Sequence, residues 1–182
     1  MVELIDKNAF IVDMDGVIYH GRRLLDGARD FVDWLKSAGK KYLFLTNSPA
    51  RSPSRLREKL LGLGIDIEEE HFMTSAIATA AFIASQSPGA RVYLIGSQGL
   101  YEAVEQAGLK VDDERADYVV VGEPRSYNFD KLERAVNLVV GGAKLIGTNP
   151  DVTGPTETGI APACRALISP IEMATGRAAY FI

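Results

Sequence analysis

The sequence predicts an α/β fold built on parallel strands. Short, continuously apolar runs alternate with segments of helical periodicity, glycines stand where those helices should end, and polar residues follow directly on the apolar runs.

The first run is Ala9-Phe10-Ile11-Val12, which predicts a strand buried on both faces. Ala28, Phe31, Val32 and Leu35 follow at i, i+3, i+4 and i+7, one face of a helix that Ala38-Gly39 ends. Tyr42-Leu43-Phe44-Leu45 is the second buried strand. Ser52 is placed to cap the next helix, with Pro53 in its first turn, Leu56, Leu60 and Leu63 on its apolar face, and Gly64 at its end. A second series then runs through a helix at 75–87, a strand at 92–95, a helix at 100–107 and a strand at 118–121. It continues with a helix at 130–140, a strand at 145–147, a helix at 162–175 and a strand beginning at 178. Strands alternating with helices imply parallel pairing through helical crossovers. Two strand–helix units precede residues 73–76 and a new series begins after them, which places a domain boundary there.

Bulk properties narrow the function. The 182 residues are 47% hydrophobic, enough for a core, and the net charge of −4 argues against a nucleic acid polymer as partner, since its binders usually carry a basic face. A mildly acidic protein still binds a small anion where a metal ion or backbone N–H groups set the local field. The single cysteine, Cys164, excludes an intrachain disulfide and suits a reducing cytoplasm. No apolar run reaches the length of a membrane span, and Glu3 and Asp6 stand where a signal peptide would be basic, so a soluble cytoplasmic protein is expected.

In open parallel sheets ligands bind beyond the carboxyl ends of the strands. The first strand runs into Asp13 and Asp15, and the second into Thr46-Asn47-Ser48, so one crevice is expected to receive two carboxylates, two hydroxyls and an amide. Neighbouring carboxylates repel, so one holds a proton more readily than the other, and a hard cation such as Mg²⁺ reconciles them through oxygen ligands. Phosphoryl transfer needs mainly positioning and charge stabilisation. Gly16 lets the backbone turn sharply and aim N–H groups at phosphate oxygens. Taken alone, an Asp-x-Asp after a strand also reads as a solvated turn, and a Thr-Asn as a turn or helix cap.

Asp13-Met14-Asp15-Gly16-Val17-Ile18-Tyr19 resembles the first motif of the haloacid dehalogenase (HAD) superfamily, and Leu43-Phe44-Leu45-Thr46-Asn47-Ser48 its second. Phe72-Met73-Thr74-Ser75-Ala76, Val121-Gly122-Glu123, Ser126-Tyr127-Asn128, Thr148-Asn149-Pro150-Asp151 and Pro162-Ala163-Cys164 extend the resemblance, which is nearest to the NagD-like branch. The resemblance implies a Rossmann-like core with an inserted α/β cap: core residues 1–75, cap 76–178, and at 179–182 a strand returning to the core. It implies a Mg²⁺-dependent phosphatase acting on a small organic phosphate monoester of nucleotide, sugar or nitrophenyl type. Asp13 is then the nucleophile that becomes an aspartyl-phosphate, and Asp15 the general acid and base. Asp13 and Asp15 hold the metal, the latter through its backbone carbonyl, while Thr46, Asn47 and the Gly16 backbone bind the phosphoryl group. Asn149 and Asp151 are candidates for a substrate-facing loop, and the family habit makes the cap face a candidate homodimer surface.

In the family a Gly-Lys-Pro segment supplies a phosphate-binding lysine just after the strand beginning at Ala178, and a later Gly-Asp segment completes the metal site. The sequence stops at Ile182, so a longer natural chain is expected. The alternative expectation is a catalytically incomplete fragment, or a phosphate- and metal-binding remnant without activity. A metal-binding glycosyltransferase using Asp15 is a third reading of the same Asp-x-Asp.

Bland readings suit the other conspicuous residues. Trp34 is expected in a partly buried core, Cys164 as a small helix residue, and Arg51, Arg55 and Arg57 on a solvated helix face. Gly96-Ser97-Gln98-Gly99 follows a strand as a dinucleotide loop does, but lacks the third glycine.

Overall fold

The computed structural model describes residues 4–156 and 158–182; Glu3, cited against a signal peptide, lies outside them. In chain order the elements are β1 (Ala9–Asp13), β2 (Tyr19–His20), β3 (Arg23–Leu24), α1 (Ala28–Ser37), β4 (Lys41–Thr46), α2 (Pro53–Gly62) and β5 (Phe72–Thr74). There follow α3 (Ser75–Gln86), β6 (Arg91–Ile95), α4 (Gln98–Gln106), β7 (Lys110–Val111), β8 (Tyr118–Val121), α5 (Phe129–Val140) and β9 (Lys144–Gly147). The last are β10 (Thr153–Thr156), β11 (Gly159–Pro162), α6 (Cys164–Thr175) and β12 (Tyr180–Phe181). The chain divides into two compact units: residues up to Thr46 with Pro53–Met73, and Asn47–Ser52 with Thr74–Ile182.

In the first unit β1 and β4 pair in parallel, Asp13 opposite Leu45, within a sheet of order β1-β4-β5. α1 forms because Ala28, Val32 and Leu35 share one buried face. It ends as its sequence predicts: Gly39 takes φ +60°, and the N–H groups of Gly39 and Lys40 bond back to the carbonyls of Lys36 and Leu35. Val12, Met14, Phe44 and Phe72 pack with Val32 of α1 and Leu56 and Leu60 of α2 in one apolar cluster. Trp34 is half-buried, stacked on Phe31 and edge-on to Phe10. Within these residues β1 is covered on one face, where burial on both was expected. Side chains alternate across a strand, and while Val12 faces the cluster, Ile11 on the other face is 75% exposed.

The second unit is doubly wound. Its five-stranded sheet has the order β12-β9-β8-β6-β7, and the recorded pairings are parallel. Val92, Leu94, Tyr118 and Val120 face α3 and α4, whereas Tyr93, Ile95, Val119 and Val121 face α5 and α6. Every residue of β8 is therefore buried, which is why it reads as an unbroken apolar run.

Two expectations are corrected here. The strand beginning near 178 does not return to the first sheet. Tyr180 and Phe181 pair with Ile146 and Gly147, because α6 makes a crossover that delivers them to the free edge of β9. Gly147 permits this: a Cβ there would stand 2.3 Å from the Phe181 ring. The helix expected at 162–175 starts only at Cys164, since Pro162 closes the antiparallel β10–β11 hairpin, whose short strands lack an alternating apolar signature. Among the described residues, no helix is long and apolar enough to cross a membrane.

Candidate active site

β1 leads into the two aspartates. Val12 and Met14 are buried, whereas Asp13, the last residue of β1, and Asp15, in the turn beyond it, are exposed. The turn after β1 is fixed by its own backbone. The N–H groups of Val17, Ile18 and Tyr19 converge on the Met14 carbonyl at 3.3, 2.9 and 3.3 Å, and Gly16 N–H donates to the Tyr19 carbonyl at 2.8 Å. Gly16 sits at φ +84°, a conformation that costs an L side chain strain, while open space surrounds the position of its missing Cβ. Its own N–H being committed to Tyr19, what Gly16 supplies in this structure is the turn.

One oxygen of Asp13 accepts the Met14 N–H at 2.7 Å. Asp15 accepts the Tyr19 hydroxyl at 3.4 Å, and the buried Tyr19 ring lies under the Lys59 ammonium, 3.2 Å from its centroid. Asp13 stands opposite Leu45 in the sheet, and Thr46, the next residue, ends β4 with its side chain buried.

The donor set suits Mg²⁺. None of the turn bonds takes the Asp15 carbonyl, and Asp13 retains its second carboxylate oxygen; both are hard oxygen donors. No group of three His, Cys, Asp or Glu side chains gathers as a metal site among the described residues. An ion that keeps several of its waters and binds through one or two carboxylates fits this poor set better than one demanding an all-protein cage.

In the second unit, Asn47 belongs to a tight polar cluster. Its carbonyl accepts the Ser75 hydroxyl at 2.7 Å and the Asn149 amide at 2.9 Å, and its own side-chain amide donates to the Asp151 carboxylate. Asn149 also donates to Glu123 Oε1 at 3.0 Å, and its Oδ1 accepts the Asp151 N–H at 3.0 Å. Of the residues expected in a substrate-facing loop, Asn149 is thus a correction: it is 2% exposed and its amide is fully committed to protein. Asp151 is half-buried, and Thr153 already starts the hairpin.

Glu123 enters the sequence reading only within a motif, and the structure places it, half-buried, in this cluster. Burial pushes its carboxyl above the ordinary range, the Asp151 charge adds to this, and the Asn149 hydrogen bond opposes it. A signal was available: Ser97, Glu123 and Asn149 each stand two residues beyond the end of a parallel strand, as Asp15 does after β1. The Gly96-Ser97-Gln98-Gly99 loop is explained by packing rather than by a nucleotide. A Cβ on Gly99 would lie 2.6 Å from the Arg51 backbone and 2.9 Å from that of Pro49 and Ser52. Cys164 is buried at the start of α6, its thiol pushed up by burial and donating to the Val121 carbonyl at 3.0 Å. Arg57 pairs with Asp66 and Glu68, and Arg55 with Glu58, in keeping with a solvated helix face.

An aspartate pair at the end of a parallel strand beside a buried threonine is the arrangement the first two motifs describe. Residues 10–110 match the model of the haloacid dehalogenase-like hydrolases. The chain is 42% identical over 175 residues to the acid sugar phosphatase of Staphylococcus aureus (strain USA300), spanning 96% of this chain and 68% of that protein. Among solved structures, the 4-nitrophenylphosphatase of Thermotoga maritima superposes with a TM-score of 0.91 at 31% identity, over 96% of this chain and 67% of that one. NagD from E. coli K-12 superposes with a TM-score of 0.88 at 36% identity, over 97% and 68%. The chain belongs to the haloacid dehalogenase-like hydrolases, in their NagD-like branch.

Proposed function

We propose that the protein is a Mg²⁺-dependent phosphatase of small organic phosphate monoesters, working through an aspartyl-phosphate on Asp13. The observation that carries this reading is the exposed Asp13–Asp15 pair at the end of β1, beside Thr46 at the end of β4. The names of the relatives, an acid sugar phosphatase and a 4-nitrophenylphosphatase, support sugar phosphates and nitrophenyl phosphate as the substrates to try first.

In this reading a carboxylate oxygen of Asp13 attacks phosphorus while the P–O bond to the leaving group breaks. Asp15 gives its proton to the departing oxygen, which leaves as an alcohol or phenol. Asp15, now a carboxylate, takes a proton from the water that attacks the aspartyl-phosphate, releasing inorganic phosphate and restoring Asp13. The Tyr19 hydroxyl on Asp15 steadies that carboxyl between its two roles. Thr46 and Asn47 orient the phosphoryl oxygens. The Asp13 carboxylate and the Asp15 carbonyl would hold Mg²⁺, which supplies positive charge against the developing phosphoryl charge. The choice of leaving group is assigned to the second unit, and the buried, unbridged Cys164 supports the cytoplasm as the protein's place.

The test is hydrolysis of 4-nitrophenyl phosphate and sugar phosphates by the wild type and Asp13→Asn, with Mg²⁺ and with chelator. Loss of the nucleophile is expected to lower kcat by at least about 10³-fold, with the melting temperature nearly unchanged. An Asp13→Asn protein that turns over at the wild-type rate would sink the mechanism.

A further inference from the structure

We propose that Glu123 is a positioning residue for phosphoryl binding: its carboxyl holds the Asn149 amide, and that amide holds the main chain of Asn47. The inference rests on the functional reading of Asn47 given above and extends it to Glu123 and Asn149, which belong to the same unit as Asn47.

The geometry is over-determined at Asn149. Its nitrogen donates to the Asn47 carbonyl at 2.9 Å and to Glu123 Oε1 at 3.0 Å, while its oxygen accepts the Asp151 N–H at 3.0 Å. A flipped amide would set oxygen against two acceptors and nitrogen against a donor, so the surroundings permit one orientation. With the side chain buried, no water readily replaces a lost partner.

Both ends of this relay are anchored. At one end the Glu123 carbonyl accepts the Ser97 hydroxyl at 2.5 Å, and Gly122 lies against the Pro49 ring, 3.2 Å from where a Cβ would stand. At the other end the Asn47 carbonyl also accepts the Ser75 hydroxyl at the start of α3, and Gly99 presses on the backbone of Pro49, Arg51 and Ser52. The segment Asn47–Ser52 is thereby clamped from the carboxyl ends of β6, β8 and β9. Asn47 itself donates one amide proton to Asp151. An asparagine amide carries two donors, so the same contact that fixes its rotamer leaves the second for a phosphoryl oxygen. Without the Glu123 acceptor, a buried Asn149 N–H loses its partner and the amide gains reason to turn, loosening the Asn47 carbonyl.

The experiment is a double-mutant cycle. Steady-state hydrolysis of 4-nitrophenyl phosphate and inhibition by inorganic phosphate are measured for the wild type, Glu123→Leu, Glu123→Gln, Asn47→Ala and Asn47→Ala with Glu123→Leu. Glu123→Leu should lower kcat/KM and raise the phosphate inhibition constant, each roughly tenfold, and should add nothing once Asn47 is alanine. Glu123→Gln, which keeps an acceptor oxygen, should restore both. Effects that multiply in the double variant, or a glutamine as poor as the leucine, would overturn the proposal. If Glu123→Leu does not fold, Ser97→Ala replaces it, with a smaller shift expected in the same direction and the same dependence on Asn47. A wild type that hydrolyses no ester overturns the functional reading instead. The relay is then read separately from exchange of the Asn149 side-chain amide protons by NMR. Slow exchange in the wild type and Glu123→Gln but fast exchange in Glu123→Leu supports the anchoring; fast exchange in all three refutes it.

Discussion

At the carboxyl ends of β1 and β4 the chain leaves Asp13 and Asp15 exposed, whereas at the carboxyl ends of β6, β8 and β9 a bonded set of Ser97, Glu123 and Asn149 closes against the chain's own segment 47–52. Both sheets obey the same rule: parallel strands end on polar residues that need partners. In the first unit those residues stand open to a ligand. In the second the partner is protein. The sheets differ in their faces as well, since β8 is buried throughout while β1 buries Val12 and exposes Ile11. Polar residues beyond a parallel strand therefore mark a place where something must bind, and only the packing says whether that is a substrate or another stretch of backbone.

The contrast between the faces gives the largest expected effect on stability. Leu94 is 2% exposed in the core under α3 and α4, and Leu94→Ala should cost about 2–5 kcal/mol in equilibrium denaturation. Ile11→Ala, at an equally apolar position of a parallel strand, should stay within about 0.5 kcal/mol. Equal losses would erase the distinction between the two sheets.

The glycines sharpen it next. Gly99→Ala drives a methyl into the backbone of segment 47–52 and should cost about 1–3 kcal/mol by urea titration. Gly16→Ala meets open space, and its cost is the left-handed backbone, about 1–2 kcal/mol. Its larger consequence should be on turnover, because the turn it strains carries Asp15.

The smallest effect is a pH dependence. Burial raises the Glu123 pKa in the folded state, so the fold favours the protonated form. The stability this gives is fully present below the unfolded-state value of about 4.3 and is lost as pH rises through the higher folded value. Glu123→Gln should therefore raise Tm near neutral pH, and the difference should vanish in acid. A Tm gain that persisted unchanged below pH of about 4 would show that the gain has another origin.

Much of this was legible in the residues. The continuous apolar runs located the main strands and the helical periodicity the main helices, and Asp13-x-Asp15 and Thr46-Asn47 stood out because polar residues follow directly on core strands. The β10–β11 hairpin and the late start of α6 were not legible, since Thr153-Gly154-Pro155-Thr156 carries no alternating pattern for local reading to detect. Glu123 was hidden for a different reason. A glutamate in a loop looks solvated until Asn149, 26 positions further on, is seen to donate to it.

What the sequence determined by itself was the parallel α/β class and the spacing of the aspartate pair, because these follow from local periodicity and from the chemistry of adjacent residues. Tertiary structure alone decided that β12 joins β9, that Ile11 faces outward, and that segment 47–52 is held by Gly99, Asn149 and Glu123. Each of those depends on which distant backbone or side chain arrives at a strand's edge, face or end, and pairings over such separations leave no periodic trace in the chain.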